Sequence, residues 1–266
     1  NEYFDFNIPF NAYNSIPFYL NNKNYLEFDD FGNSLYKKFN KKIDLKYNNI
    51  KIDLKIALNL DEIEGELNIY LHDLFKYNFE NLIKKYSEDD IEYFVKNYLN
   101  RKINNAVLLD YDIQNVENTE KPLIIYLKFS ISNPFILKQA NYKEELLLKN
   151  IFNNSWIDVL SDYPSFEKYA MLSKRNYPLF VYYFLEEITI NIKLDDESYK
   201  FKRYEKNIDS QTFDNFVNDF SFNGDEKNLY INSKIFLNNS FVYPENYKNF
   251  YNFIQNSINF KNNILN

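Results

Sequence analysis

Residues 49–60, NIKIDLKIALNL, place Ile50, Ile52, Leu54, Ile56, Leu58 and Leu60 at every second position, with Lys51, Asp53, Lys55, Ala57 and Asn59 between them. Strand side chains point alternately to opposite faces, so this spacing predicts a strand with one aliphatic and one mostly polar face. At ~3.3 Å per residue it would run roughly 36 Å, long for a globular protein. A one-residue slip would turn the whole aliphatic face to water, so the register is strongly specified. Glu66–Leu71 alternates again through Leu67, Ile69 and Leu71, which predicts an antiparallel hairpin partner after a tight connection at 60–62. Gly65 inside this run is expected to mark a bulge.

The period then changes. Asn78 is the expected cap of a helix over Phe79–Tyr86, with Phe79, Leu82, Ile83 and Tyr86 on one face. Ser87 and Asp90 resemble a capping box, and Glu88, Asp89 and Asp90 suit the positive end of a helix dipole. Ile91, Phe94, Val95, Tyr98 and Leu99 form the stripe of a second amphipathic helix, expected to cover the dry face of the 49–60 strand. Strands follow at Val107–Val116 and Leu123–Ile131, the latter opened by Pro122. Residues 133–175 are irregular: Glu144–Phe152 fits a strand or a helix, and Ser165–Ser173 fits a short helix. Leu179–Lys193 and Tyr199–Tyr204 read as strands. Asp209 or Ser210 is expected to cap a short helix bearing Phe213, Phe216 and Val217. A hairpin over Phe220–Phe222 and Leu229–Leu237, turning at Asn223-Gly224, precedes a last helix starting near Pro244, with Tyr247, Phe250, Tyr251, Ile254 and Ile258 as its stripe.

Together these elements predict an α+β fold, mainly antiparallel β in sandwich-like sheets, with a few flanking amphipathic helices. The expected units are a linker-like segment 1–42, a β-β-α-α-β-β domain with an irregular extension over 43–176, and a β-rich domain over 177–266 that ends in a helix. In residues 1–42, Pro9 and Pro17 break regularity, and a short strand is expected at Tyr25–Phe28.

Composition narrows the chemistry. With 266 residues, 45% hydrophobic and 26% charged, the chain can bury a sizeable core. The 20% aromatic share rises together with Asn, Lys and Ile, the mark of AT-rich coding, and those rings can fill cores. A net charge of −7 and no sustained Lys/Arg run argue against nucleic acid as a partner. The absence of Cys excludes disulfides, a thiol nucleophile and Cys-based zinc sites. The longest apolar run, Tyr177–Leu185, is too short to span a membrane. There is no glycine-rich phosphate loop, since only Gly32, Gly65 and Gly224 exist. His72, the single histidine, stands beside Asp73, yet no Ser sits in a nucleophile-elbow setting to use that pair. Asp29-Asp30, Glu88-Asp89-Asp90 and Asp195-Asp196-Glu197 are the acidic clusters that a metal would need, but their spacing suits caps and turns better than a calcium loop. Tyr182-Tyr183-Phe184 and Tyr247–Phe253 are the candidate ligand-stacking platforms; packing into the core is the plainer use of both. No cofactor, metal site or catalytic group is expected from the residues.

Several local patterns resemble one family. Val116-Glu117-Asn118-Thr119-Glu120-Lys121-Pro122-Leu123, with alternating Ile125, Leu127 and Phe129 after it, is similar to a segment downstream of certain bacterial transglutaminase-like domains. Arg175-Asn176-Tyr177-Pro178-Leu179 and the terminal helix are similar to later segments, and Tyr3-Phe4-Asp5 with Ile16-Pro17 resembles the close of the transglutaminase-like core. The resemblance implies the C-terminal β-rich region, of unknown function, of a multidomain bacterial protein, and a location outside the cytoplasm. Asp5 would match the Asp of a Cys-His-Asp triad whose Cys and His would precede Asn1, so this stretch would be a piece of a longer protein. The expected function is therefore that of a non-catalytic accessory or interaction region, with its upstream transglutaminase-like domain, another protein or a glycan as partner. A glycan- or protein-binding β-sandwich module and a carboxylate-based hydrolase are the alternatives.

Overall fold

The computed structural model describes residues 24–28, 34–38, 49–58, 63–118, 121–131, 151–152, 174–181, 184–195, 200–201, 204–214, 216–238 and 240–263. Asp5, Asp29-Asp30, Tyr182-Tyr183 and the expected helix at Ser165–Ser173 lie outside them.

The predicted spine is strand β3, Asn49–Leu58. It follows a two-stranded hairpin of β1, Asn24–Phe28, and β2, Ser34–Lys38. Ile50, Ile52, Leu54, Ile56 and Leu58 are all buried, while Lys51 and Lys55 reach solvent. Each buried aliphatic contributes about 1.5–3 kcal/mol, so this face alone carries a gross term of about 10 kcal/mol. β4, Ile63–Leu71, pairs with it antiparallel from Leu58↔Ile63 to Ile50↔Leu71 without a shift. Gly65 is therefore not a bulge. It sits opposite Ile56 on one side and Phe129 on the other, and the Phe129 ring covers it: a Cβ there would lie 2.1 Å from Phe129 Cζ. The glycine leaves room for the ring rather than for an extra residue.

Helix α1 runs from Asp73 to Ile83 and α2 from Glu88 to Lys102. α1 starts earlier than Asn78. His72 is its N-cap residue, its backbone N–H donates to Asn49 O at 3.1 Å, and its side chain makes no capping bond. Phe75, Phe79 and Ile83, four apart, pack on the core. α2 begins as expected. Ser87 Oγ accepts from Asp90 N at 3.3 Å, and Asp90 Oδ2 accepts from Ser87 N at 3.2 Å. That reciprocal pair satisfies two otherwise orphaned donors. α1 approaches β3 and α2 approaches β5, Ala106–Gln114, while Ile91, Val95 and Leu99, the stripe expected to cover the sheet, are buried in the core that the aliphatic face of β3 shares. Only Ile103–Asn105, with Asn105 at φ 56°, separates α2 from β5, which keeps the two close.

β6, Leu123–Ile131, follows, and after it β7, Leu179–Val181, β8, Phe184–Leu194, β9, Tyr204–Phe213, β10, Phe216–Gly224, β11, Asn228–Leu237, β12, Ser240–Val242, and helix α3, Tyr247–Asn263. Leu179–Lys193 thus supplies two strands: β7 pairs with β12 in a small sheet, while β8 enters the large one. The short helix expected at Phe213–Val217 is a hairpin instead. Asp214, at φ 49°, stands in the turn between β9 and β10, and Phe213 pairs with Phe216, their rings stacked at 6.0 Å. Residues three apart share a face across a two-residue turn as they do on a helix, and the spacing alone does not separate the two.

The large sheet has eight strands in the order β5-β6-β4-β3-β8-β11-β10-β9. Every neighbour is antiparallel except β3 and β8, which pair parallel over their length from Asn49↔Leu185 to Leu58↔Leu194. The fold is α+β and mainly β. The β-rich stretches on either side of the irregular segment meet in one continuous sheet, whose apolar face packs into a single core with α1, α2 and the start of α3. Phe250 and Phe253 of α3 are buried there against Phe213 and Phe216, and Tyr247, also buried, packs on Phe250. They are core residues, not a stacking platform; Phe184 is buried as well.

Candidate functional surfaces and the Lys76 lock

The opposite face of the large sheet is mostly polar, with an apolar row of Leu185, Phe236 and Val217 at one end, and strand register sets its pattern. One row crosses four strands as Lys51, Glu187, Lys234 and Asp219. Another crosses the other half as Asp110, Lys128, Glu66 and Lys55. Charge alternates along each row, and opposite charges directly across a ladder attract. Lys234 Nζ lies 2.9 Å from Glu187 Oε1, and Lys51 Nζ lies 3.0 Å from Asp53 Oδ2 and 5.5 Å from the centre of the Tyr70 ring. The hydrogen bond to Asp53 holds the Lys51 ammonium above its usual range. Between the charged rows runs a largely uncharged one: Tyr126, Asn68, Asp53, Thr189, Asn232 and Ser221. Lys51, Lys55, Thr189, Lys193, Tyr230, Asn232 and Lys234 are solvent-exposed on this face.

Among the described residues, three polar intruders stand on the dry face. Glu186, Asn218 and Ser233 are 2%, 1% and 4% exposed, at positions where the alternation calls for apolar side chains. Asn218 and Glu186 both stand opposite Ile235, from either side of β11, and Ser233 is two residues along the same strand. Asn218 Oδ1 and Ser233 Oγ have no hydrogen-bond partner. Beside α3, the Arg175 guanidinium lies 5.4 Å from the Tyr247 ring centre, so the Arg-x-x-Pro step docks on an aromatic of the terminal helix.

His72, Lys76 and Glu80 occupy successive turns of α1. Lys76 Nζ donates to Asn115 O at 3.2 Å, to Lys121 O at 2.8 Å and to Asn118 O, all on the β5–β6 loop. Glu80 Oε1 stands 3.6 Å from the same ammonium and accepts from Glu117 N at 3.1 Å. Both side chains are buried, at 9% and 1% exposure. The loop presents its carbonyls to the helix because Asn115 and Glu117 adopt left-handed backbone, φ 61° and 67°. Outside this lock, Lys84 Nζ pairs with Glu117 Oε1 at 3.2 Å. Burial pushes the Lys76 ammonium down, and Glu80 partly offsets it. The i,i+4 Lys-Glu spacing was a usable sequence signal. It is lost when the helix is started at Asn78, two residues past Lys76.

His72 therefore belongs to a helix start rather than to a base–orienter pair. Burial, and then the Lys76 charge, push its imidazole below its ordinary 6.5. A folded state that holds its histidine neutral is stabilised fully above the unfolded value and loses that stability as pH falls through the folded one. Urea midpoints of the native chain are thus expected to drop between about pH 7.5 and about pH 5, and those of His72→Gln to drop less over the same window. The lone imidazole also reports directly by NMR. Equal pH slopes for the two proteins would remove His72 from the account.

The acidic clusters resolve into structural uses where they are described. Glu88, Asp89 and Asp90 form the first turn of α2, and its capping bonds to Ser87 hold Asp90 below the usual carboxylate range. Asp195 pairs with Lys193 at 2.5 Å. Among the described residues, no group of three or more His, Cys, Asp or Glu gathers as a metal site. Among the same residues, no helix is long and apolar enough to cross a membrane.

A family model for a domain of unknown function, DUF3858, matches residues 144–266. No curated protein matches the chain, and no solved structure does. The matched stretch holds β7 to β12 and α3, and its β8 is the strand that pairs with β3 of the preceding half.

Proposed function

We propose that this chain is a non-catalytic accessory region that docks a protein partner on the polar face of its large sheet. The carrying observation is that face itself. Ladders of alternating charge flank a central row of amide and hydroxyl side chains with one carboxylate, Asp53, and Lys51, Lys55, Lys234, Thr189 and Asn232 stand in solvent. Arranged charge of this kind favours orientation and partner choice more than raw affinity. The single histidine opens α1 and the buried Lys76–Glu80 pair holds the β5–β6 loop, which supports a structural use of these groups. On the reading suggested by the local sequence patterns, the partner is a transglutaminase- or cysteine-protease-like core, and the protein is an exported bacterial one.

The chain has no cysteine, so Thr189→Cys places one unique label at the centre of the face. Fluorescence from that label is expected to change on titration with a purified transglutaminase-like core. Glu187→Lys should weaken the binding, and Glu187→Lys with Lys234→Glu should restore part of it. Amine-transfer and peptidase assays on the chain alone are expected to show no turnover. Robust turnover would overturn the proposal, and so would binding that ignores both charge changes.

A further inference from the structure

We infer that the β5–β6 loop forms a univalent-cation site whose resident cation is the Lys76 ammonium. Potassium, ammonium or a short alkylammonium ion occupies that site once the side chain is removed. Three backbone carbonyls, of Asn115, Asn118 and Lys121, converge on one point from a single loop. Glu80 Oε1 closes the set from the helix side. A ring of carbonyl oxygens is the coordination by which proteins replace the hydration shell of an ion of potassium size. The ammonium spends its three N–H donors on the three carbonyls and meets the carboxylate as an ion pair.

Charge selects the valence. One carboxylate and three neutral carbonyls carry a single negative charge, which one univalent ion balances. Lys84 does not compete: its ammonium sits on the outer side of the loop, on the Glu117 carboxylate. The loop backbone is wound for this purpose, because two non-glycine residues, Asn115 and Glu117, hold left-handed conformations that usually cost energy. The ion at the centre is what keeps the inward-facing carbonyls from repelling one another.

Lys76→Ala empties the site, whereas Lys76→Met fills the same channel with an uncharged chain. Thermal unfolding of both variants and of the native chain is compared in chloride salts of equal ionic strength. For Lys76→Ala, the midpoint is expected to rise by several degrees and to saturate with potassium, ammonium or propylammonium, as a ligand of the folded state requires. Lithium and tetramethylammonium should give no such rise, and the native chain and Lys76→Met should respond to none of the ions. An equal response to all cations would overturn the inference. So would a response shared by Lys76→Met, or a Lys76→Ala chain unfolded in every salt.

Discussion

Lys76→Met is expected to lower the unfolding free energy by about 3–5 kcal/mol, because it leaves the Glu80 carboxylate buried without its counter-charge. The pair sits at 9% and 1% side-chain exposure, where solvent offers little screening. Glu80→Leu should cost a similar amount by stranding the ammonium. The double change Lys76→Met with Glu80→Leu removes both charges, and buried ion pairs replaced together by apolar groups are often nearly neutral. Here full recovery is not expected. Asn115 O, Lys121 O and Glu117 N would each lose a hydrogen bond, at about 1–3 kcal/mol for each group that water cannot reach. Urea unfolding of the two single variants and the double one measures the cycle, and hydrogen exchange at Glu117 N–H reports the loop locally. A double variant as stable as the native chain would show that the lock adds nothing beyond its own charges.

Phe129→Ala should cost about 3–5 kcal/mol, since the ring is fully buried and its loss leaves a cavity. The more telling result concerns Gly65. In the native chain, Gly65→Ala would push a methyl to 2.1 Å from Phe129 Cζ, and the ring belongs to a packed core. Overpacking of this kind costs about 1–3 kcal/mol. In the Phe129→Ala background the obstruction is gone. The added methyl then fills part of the cavity, and alanine replaces a residue that weakens strand interiors by roughly 0.5–1 kcal/mol. Gly65→Ala is therefore expected to change sign, destabilising with the ring present and stabilising without it. Equal effects in both backgrounds would mean that the ring does not set the glycine requirement.

Where sequence reading succeeded, the information was local. The alternation in Asn49–Leu58 places five aliphatic side chains on one face whatever the neighbour, because the pleat repeats every two residues. The Ser87-Asp90 pair marks its helix start because donor and acceptor lie three residues apart. The errors were equally physical. Phe213 and Phe216 share a face in a helix and across a tight hairpin alike, so period alone could not choose. His72 opens α1 with no capping side chain, and a helix begun at Asn78 includes Glu80 but leaves out Lys76, so their pairing does not show.

The candidate surfaces divide the same way. That the sheet would have a wet face was legible strand by strand. That Lys51, Glu187, Lys234 and Asp219 would stand in one line was not, because the line depends on the register of four strands, one pair of them parallel. Asn218 and Ser233 are visible in sequence as polar breaks in apolar alternation, but only packing buries them without partners.

Faces, periods and the helix cap are local properties, since each follows from residues within a turn or a pleat of one another. Long-range packing set everything else. It brought β8 beside β3, and so joined the unmatched half to the stretch that resembles DUF3858. It also brought the carbonyls of the β5–β6 loop to an ammonium 39 to 45 residues earlier in the chain. Such pairings are chosen by the loss of water from two apolar surfaces at once and by the charge balance of buried groups. Neither quantity exists until distant segments meet.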